Sequence, residues 1–222
     1  MSTDPTHIEA LAESALTRKP RQGRSLASFQ RMLDATKALM LETGGDNFTL
    51  QDVSDRGNVS IGSIYLRFES KDRLLHAVIA EELQAVLTQE REILDAVIAE
   101  SKSLADFLPR YIDRYSGFLE ANAPLLRTIM QRASVDAAVS EPGKETARRS
   151  AAMSVAAIMS FRDEIKAPDA AEKAQAVFQI IFATVARQYG LGSTPESGDA
   201  EVWKFMKGEL AKMALAYLRH SD

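Results

Sequence analysis

The chain has 222 residues, 45% of them hydrophobic, enough to close one large core or a small domain beside a larger one. It has no cysteine and only three histidines, His7, His76 and His220, none paired at helical spacing, so disulfides, thiolate chemistry and a metal site are not expected. The formal net charge of -4 argues against a nucleic-acid partner until its distribution is followed: residues 18–75 hold ten Lys or Arg against seven Asp or Glu, and residues 76–222 hold seventeen against twenty-one. No apolar run approaches the roughly 20 residues of a membrane span. The first residues carry Asp4, Glu9 and Glu13 in place of a basic-then-apolar leader, so a cytoplasmic location without a membrane partner is expected.

Taken in chain order, residues 1–24 read as a flexible extension ending in a basic arm, Arg18-Lys19-Pro20-Arg21-Gln22-Gly23-Arg24. Leu26, Phe29, Leu33, Thr36 and Met40 then recur at three and four residues and stop at Gly44-Gly45, which predicts a helix. Thr49-Leu50-Gln51-Asp52 fits a capping box opening a short helix, and residues 60–68 predict another. Ser70 caps a long helix whose apolar pairs, from Leu74/Leu75 to Val97/Ile98, continue to about Glu100. Ser103 opens a helix interrupted by Pro109, Pro124 starts a shorter piece, and Glu141-Pro142-Gly143 predicts a break before an Ala- and Met-rich helix. Pro168 is expected to open a helix to Tyr189, and a last helix covers about Asp199 to Arg219. The expectation is an all-α chain of about nine helices with no strand. The domains expected are the extension 1–24, a small helical domain 25–72 and a larger helical domain 73–222.

The short helices before and after Gly57-Asn58 suit a helix-turn-helix. Asn58 tolerates the left-handed conformation of the turn, and Gly57 lets two helices approach closely. Val53, Val59, Ile64 and Phe68 would form the buried seam. That leaves Ser60, Ile61, Gly62, Ser63 and Tyr65 near the exposed start of the second helix, where recognition helices meet base edges.

This segment resembles the DNA-binding signature of the TetR family. Thr49, Val53, Val59, Ser60, Gly62, Tyr65, Phe68 and Lys71 match the family pattern in residue and spacing. Ser54, Gly57 and Asn58 depart from it where Ala, Ala and Gly are usual, and Arg67 replaces a His. The departures bear on operator specificity. The resemblance implies that Thr49 and Lys71 contact phosphates, that Tyr65 reaches a phosphate or thymine methyl, and that Arg67 keeps the backbone contact of the His. Arg24 and the arm either lie along the phosphates and minor groove or only solubilise the chain. Tyr65 has a core reading beside the DNA reading, and Ser60 an N-cap reading that is compatible with contact.

The remainder carries no catalytic run of the Gly-x-Ser-x-Gly, phosphate-loop or His-Glu-x-x-His kind, so no enzyme and no cofactor is expected. Its aromatics and methionines read first as core. The resemblance implies an apolar effector pocket among them, and Tyr111, Tyr115, Phe118, Met153 and Phe178 are its candidate lining. It also implies a homodimer through the last two helices, with Val177, Ile180, Ile181, Thr184 and Val185 on one and Trp203, Met206, Leu210, Met213 and Tyr217 on the other; burial within one subunit is the competing reading. The expected function is a bacterial ligand-responsive regulator, a repressor released from a palindromic operator by a small apolar effector. The alternative is a helical small-molecule carrier that does not bind DNA.

Overall fold

The computed structural model describes residues 6–18, 23–190 and 200–220. Among them are nine α-helices, one 3₁₀ turn at Arg162–Glu164 and no strand. The helices are α1 (His7–Ala15), α2 (Arg24–Thr43), α3 (Leu50–Gly57), α4 (Ile61–Tyr65), α5 (Lys71–Glu100), α6 (Leu104–Ala133), α7 (Ala137–Met159), α8 (Ala170–Gln188) and α9 (Ala200–Arg219). The fold class is all-α, as the periodicity predicts. The number agrees with the sequence reading although the set differs.

Part of the stretch read as an extension is a helix. Thr6 and Glu9 form a reciprocal capping box at the start of α1, and Ile8, Leu11 and Ala15, on one face, are buried. Nine residues with three apolar positions give too weak a periodic signal to separate from an acidic tail. The expected break at Pro124 is also absent, because α6 runs through both Pro109 and Pro124 for 30 residues. Each proline removes one backbone donor. The stripe Phe107, Leu108, Tyr111, Tyr115, Phe118, Leu125 and Ile129 stays buried along the helix, and that packing outweighs two lost hydrogen bonds. In the same way α7 starts before Pro142, which lies in its second turn, where the Glu141-Pro142-Gly143 triplet had predicted a break.

The chain divides into two compact units, which cut across the long helices. Unit 1 takes residues 1–85 and 124–146, and unit 2 takes residues 86–123 and 147–222. Unit 1 packs α2, α3 and α4 over Met32, Leu33, Met40, Val53, Ile64 and Phe68. In unit 2 the described rings form a chain: Phe107, Tyr111, Tyr115 and Phe118 follow one another along α6 at 5.4 to 6.0 Å between centroids. Tyr115 also meets Phe178, which stacks on Phe182 of α8.

Candidate nucleic-acid interface

The caps and the turn of the helix-turn-helix are held by hydrogen bonds between near neighbours in sequence. At the start of α3 the Thr49 hydroxyl accepts from the Asp52 N–H at 3.2 Å, and the Asp52 carboxylate accepts from the Thr49 N–H at 2.7 Å and its hydroxyl at 2.8 Å. These donors hold the Asp52 carboxyl below the usual carboxylate range. α3 ends on Asn58 at φ +46°, the left-handed turn expected from the sequence. Ser54, one of the departures from the family pattern, donates its hydroxyl to the Val59 carbonyl at 2.6 Å and so satisfies the turn that follows. Ser60 caps α4 by accepting from the Ser63 N–H at 3.2 Å, and the two hydroxyls lie 2.7 Å apart.

Gly57 carries the crossing of α3 against α2. A Cβ there would sit 3.0 Å from the Arg31 carbonyl oxygen and 3.3 Å from Ala35 Cβ, tighter than ordinary contact. Arg31 Nε donates back to the Gly57 carbonyl at 3.2 Å. The seam expected from the sequence is buried in full at Val53, Val59, Ile64 and Phe68.

What remains outside is a short open face. Thr49, Ser60, Gly62 and Tyr65 are exposed, Tyr65 by 58%, and Ile61 and Ser63 are half-buried beside them. Tyr65 is therefore not a core aromatic. Arg67 and Lys71, expected to reach phosphates, are occupied within the protein. Arg67 is only 8% exposed and donates to the Arg18 carbonyl at 3.2 Å and the Ser25 hydroxyl at 2.5 Å, with its guanidinium 6.0 Å from the centre of the Phe29 ring. The Lys71 ammonium donates to the carbonyls of Asp46 and Phe48 at 2.7 and 3.1 Å and lies over the Phe48 ring. Both side chains hold loops in place. Arg56 is forked onto Glu42, and Lys37 meets Glu82 at 2.8 Å. The side chain of Arg24 and residues 19–22 lie outside the described residues.

One residue that the sequence did not point to holds the loop before α3. Arg132, near the end of α6, reaches Asp46 at 2.7 Å, Asp72 at 2.9 Å and Asp136 at 2.8 Å, and Asp136 also meets His76 Nε2 at 2.7 Å. Burial pushes the Asp136 carboxyl up, but donation from His76 and Arg132 outweighs it and leaves it lowered. The loop that delivers Thr49 is thereby pinned from both sides, by Lys71 and by Arg132.

Residues 32–78, from the middle of α2 into α5, match the model of the bacterial regulatory proteins of the tetR family. Over that region the chain is similar to the TetR family. It is similar to the HTH-type transcriptional repressor KstR of Mycolicibacterium smegmatis, 30% identical over 81 residues, and to that of Mycobacterium tuberculosis, 32% identical over 79 residues. Each match covers 36% of this chain and only 38% and 34% of the two repressors. The similarity of architecture extends further. A TetR-family regulator structure from Mesorhizobium loti superposes with a TM-score of 0.67 over 89% of this chain and 96% of its own, at 18% identity. At that identity the match speaks for the fold alone.

In unit 2, four of the five residues expected to line an effector site, Tyr111, Tyr115, Phe118 and Phe178, are buried and in ring contact, and Met153 is half-buried. The sequence reading missed a polar group in unit 2, Glu90 of α5. Glu90 is buried and accepts from the hydroxyls of Ser150 and Ser154. Its position held a signal, for it falls on the apolar stripe Leu83, Val86, Leu94 and Val97 of the same helix.

The stripes assigned to the last two helices separate into two sets. Val177, Ile181, Val185 and Leu210 are buried within unit 2. Ile180, Met206, Met213 and Tyr217 are exposed, as are Val202 and Phe205. Trp203 is half-buried, its indole N–H shared between the Tyr189 hydroxyl at 3.2 Å and the Ser116 hydroxyl at 3.3 Å. No helix among the described residues is long and apolar enough to cross a membrane.

Proposed function

We propose that the chain is a dimeric transcriptional repressor that binds a palindromic operator through α4 and releases it when a small, largely apolar molecule occupies unit 2. The observation that carries the DNA reading is the open face at the start of α4. Ser60, Ile61, Gly62, Ser63 and Tyr65 form it, while the residues around them are locked into caps, seams and ion pairs. A helix start that displays small polar groups and one exposed tyrosine can approach base edges closely, and nothing in the core accounts for Tyr65 at that position. The repressor sense follows the similarity to KstR over this region.

With Arg67 and Lys71 engaged internally, the charge that meets phosphates comes chiefly from the arm, Arg18, Lys19, Arg21 and Arg24. Thr49, exposed at the first turn of α3, adds a neutral contact. Dimerisation uses the exposed set on α8 and α9, since apolar side chains as large as Ile180, Phe205, Met213 and Tyr217 are rarely left in water together. The effector acts by binding one arrangement of the protein better than another, and α6, which carries Tyr111, Tyr115 and Phe118 in one unit and Arg132 in the other, is, with α5 and α7, one of three helices that both units share.

The test is selection of genomic fragments by the purified protein, followed by sequencing. The wild type should enrich a site with two-fold symmetry, and Tyr65→Ala should enrich it at least about tenfold less while unfolding at the same temperature. A wild-type protein that enriches no site overturns the proposal.

A further inference from the structure

Glu90 places a carboxylate where the fold supplies nothing positive to meet it. The side chain is 1% exposed. Its Oε1 accepts from Ser150 Oγ at 2.7 Å and from Ser154 Oγ at 3.4 Å, both on α7. Among the described residues no Lys, Arg or His pairs with it, and its Oε2 receives no hydrogen bond. Close by on α6, the Tyr111 hydroxyl is buried without a hydrogen-bond partner. Burial raises the Tyr111 hydroxyl above its ordinary pKa, against the neighbouring Ser154 hydroxyl, and the Glu90 charge adds to the rise; Tyr115 is raised as well. Burial likewise pushes Glu90 itself up, against the two serine donors.

A group that served only the fold would be expected to find its partners within the fold. A buried carboxylate left half-satisfied is costly to the fold, and an apolar side chain of similar volume would serve packing better. Here two polar atoms from different helices, Glu90 Oε2 and Tyr111 Oη, are left without a hydrogen bond, and the Tyr111 and Tyr115 rings lie 5.4 Å apart between centroids. A carboxylate beside aromatic faces is a setting that favours a cation with hydrocarbon around it, because the acid supplies the charge and the ring quadrupoles add to the attraction. A neutral ligand would leave the charge uncompensated.

We propose that Glu90, with Tyr111, Tyr115, Ser150 and Ser154, forms the polar end of the effector site in unit 2, and that the effector is an apolar molecule bearing a cationic nitrogen. This rests on the reading of unit 2 as a small-molecule sensor. Glu90 takes the charge, the serines hold its other oxygen, and the Tyr111 hydroxyl offers a lone pair to an N–H. The sequence between α5 and α7 gives no sign of the site, because its members stand 60 and 64 residues apart.

The experiment uses the full chain and two matched pairs of probes in calorimetry: phenyltrimethylammonium against its carbon analogue tert-butylbenzene, and protonated 4-phenylbutylamine against 4-phenylbutanol. At least one cation should bind the wild type about tenfold or more tightly than its neutral partner. Glu90→Gln, which keeps the size and both serine contacts, should lose about tenfold or more of that affinity, and Tyr111→Phe should lose part of the affinity for the amine only. The inference is overturned if Glu90→Gln keeps the cation affinity, if the neutral partners bind as well, or if neither cation binds at concentrations up to about 10 mM. Operator affinity, followed in parallel, separates the two readings. Cations that bind through Glu90 without weakening operator binding support the site and overturn the sensor. A neutral molecule that releases DNA from wild type and Glu90→Gln alike supports the sensor and overturns this inference.

Discussion

The helix-turn-helix of unit 1 and the interior of unit 2 satisfy their polar groups in opposite ways. In the first, partners stand three to five residues apart: Thr49 with Asp52, Ser60 with Ser63, Ser54 with the carbonyl of Val59. In the second, Glu90 finds Ser150 and Ser154 across two helix connections, and the Tyr111 hydroxyl finds no hydrogen-bond partner. Local satisfaction sets a rigid surface that a short motif can specify. Satisfaction at long range depends on how whole helices pack, and it leaves room for a group that only a ligand completes. The contrast fits the proposed division of labour, in which a preformed face would read a fixed polymer and an adaptable interior would respond to an effector.

The sharpest test lies on α8 and α9, whose apolar positions divide into a buried and an exposed set. Ile181 is 0% exposed, so Ile181→Glu buries an unpaired charge and should cost about 3 to 5 kcal/mol, lowering the unfolding temperature of the protomer itself. Met213 on α9 is 65% exposed, and Met213→Glu should leave the protomer folded while light scattering shows monomers with lost operator affinity. Equal thermal stability of wild type and Ile181→Glu would contradict the split of the two stripes. A dimeric Met213→Glu protein with full DNA affinity would remove the outer set as the interface.

The next effect concerns a long-range polar group of unit 1. Arg132→Ala removes the cation shared by Asp46, Asp72 and Asp136. Because Asp46 and Asp72 are well exposed, the loss should be roughly 2 kcal/mol, below the 3 to 5 of a fully buried network. Operator affinity should fall with it, since the loop before Thr49 is released. Unchanged DNA binding in a folded Arg132→Ala protein would show that the loop needs no such anchor.

Gly57→Ala should cost about 1 to 2 kcal/mol in chemical denaturation, because the added methyl meets the Arg31 carbonyl at 3.0 Å and α2 must give way. A neutral or stabilising outcome would mean that the crossing of α2 and α3 is looser than the structure shows.

These positions also show what could be read in advance. The capping box at Thr49, the left-handed Asn58, the close approach at Gly57 and the seam of Val53, Val59, Ile64 and Phe68 all follow from rules that act within a few residues, and the sequence announces each of them. The same rules misjudged Pro124 and Pro142, where burial along the helix outweighs the lost backbone bond. The internal contacts of Arg67 and Lys71 were not legible either, since the motif behind the resemblance reports which residue stands at a position and not which carbonyls lie within reach of its side chain. The buried and exposed halves of the α8 and α9 stripes share one period and differ only in angle around the helix, a distinction that a list of apolar positions does not contain.

The smallest effect is a dependence on pH. Burial raises the pKa of Glu90 above its value in the unfolded chain, so the folded state binds the proton more tightly. The stability this contributes is complete below the unfolded pKa, near 4.3 for a glutamate, and is lost as pH rises through the folded value. Glu90→Gln, which has no charge to bury, should therefore unfold at a higher temperature than the wild type around pH 8, with the advantage shrinking toward about pH 4. A variant less stable than the wild type across that whole range would show that the ionised carboxylate is matched within the fold after all.

The central claim, an operator-binding face at α4 with charge supplied by the arm, is tested most directly by the salt dependence of binding to the selected duplex, followed by fluorescence anisotropy. Four basic residues in each arm, Arg18, Lys19, Arg21 and Arg24, make eight in a dimer, and each phosphate neutralised contributes about 0.9 to the slope of log affinity against log salt. The expected slope is steep, about -7 if all eight engage, and Lys19→Gln with Arg21→Gln should flatten it by about 3 to 4. An affinity that barely changes between about 50 and 200 mM salt would contradict the account.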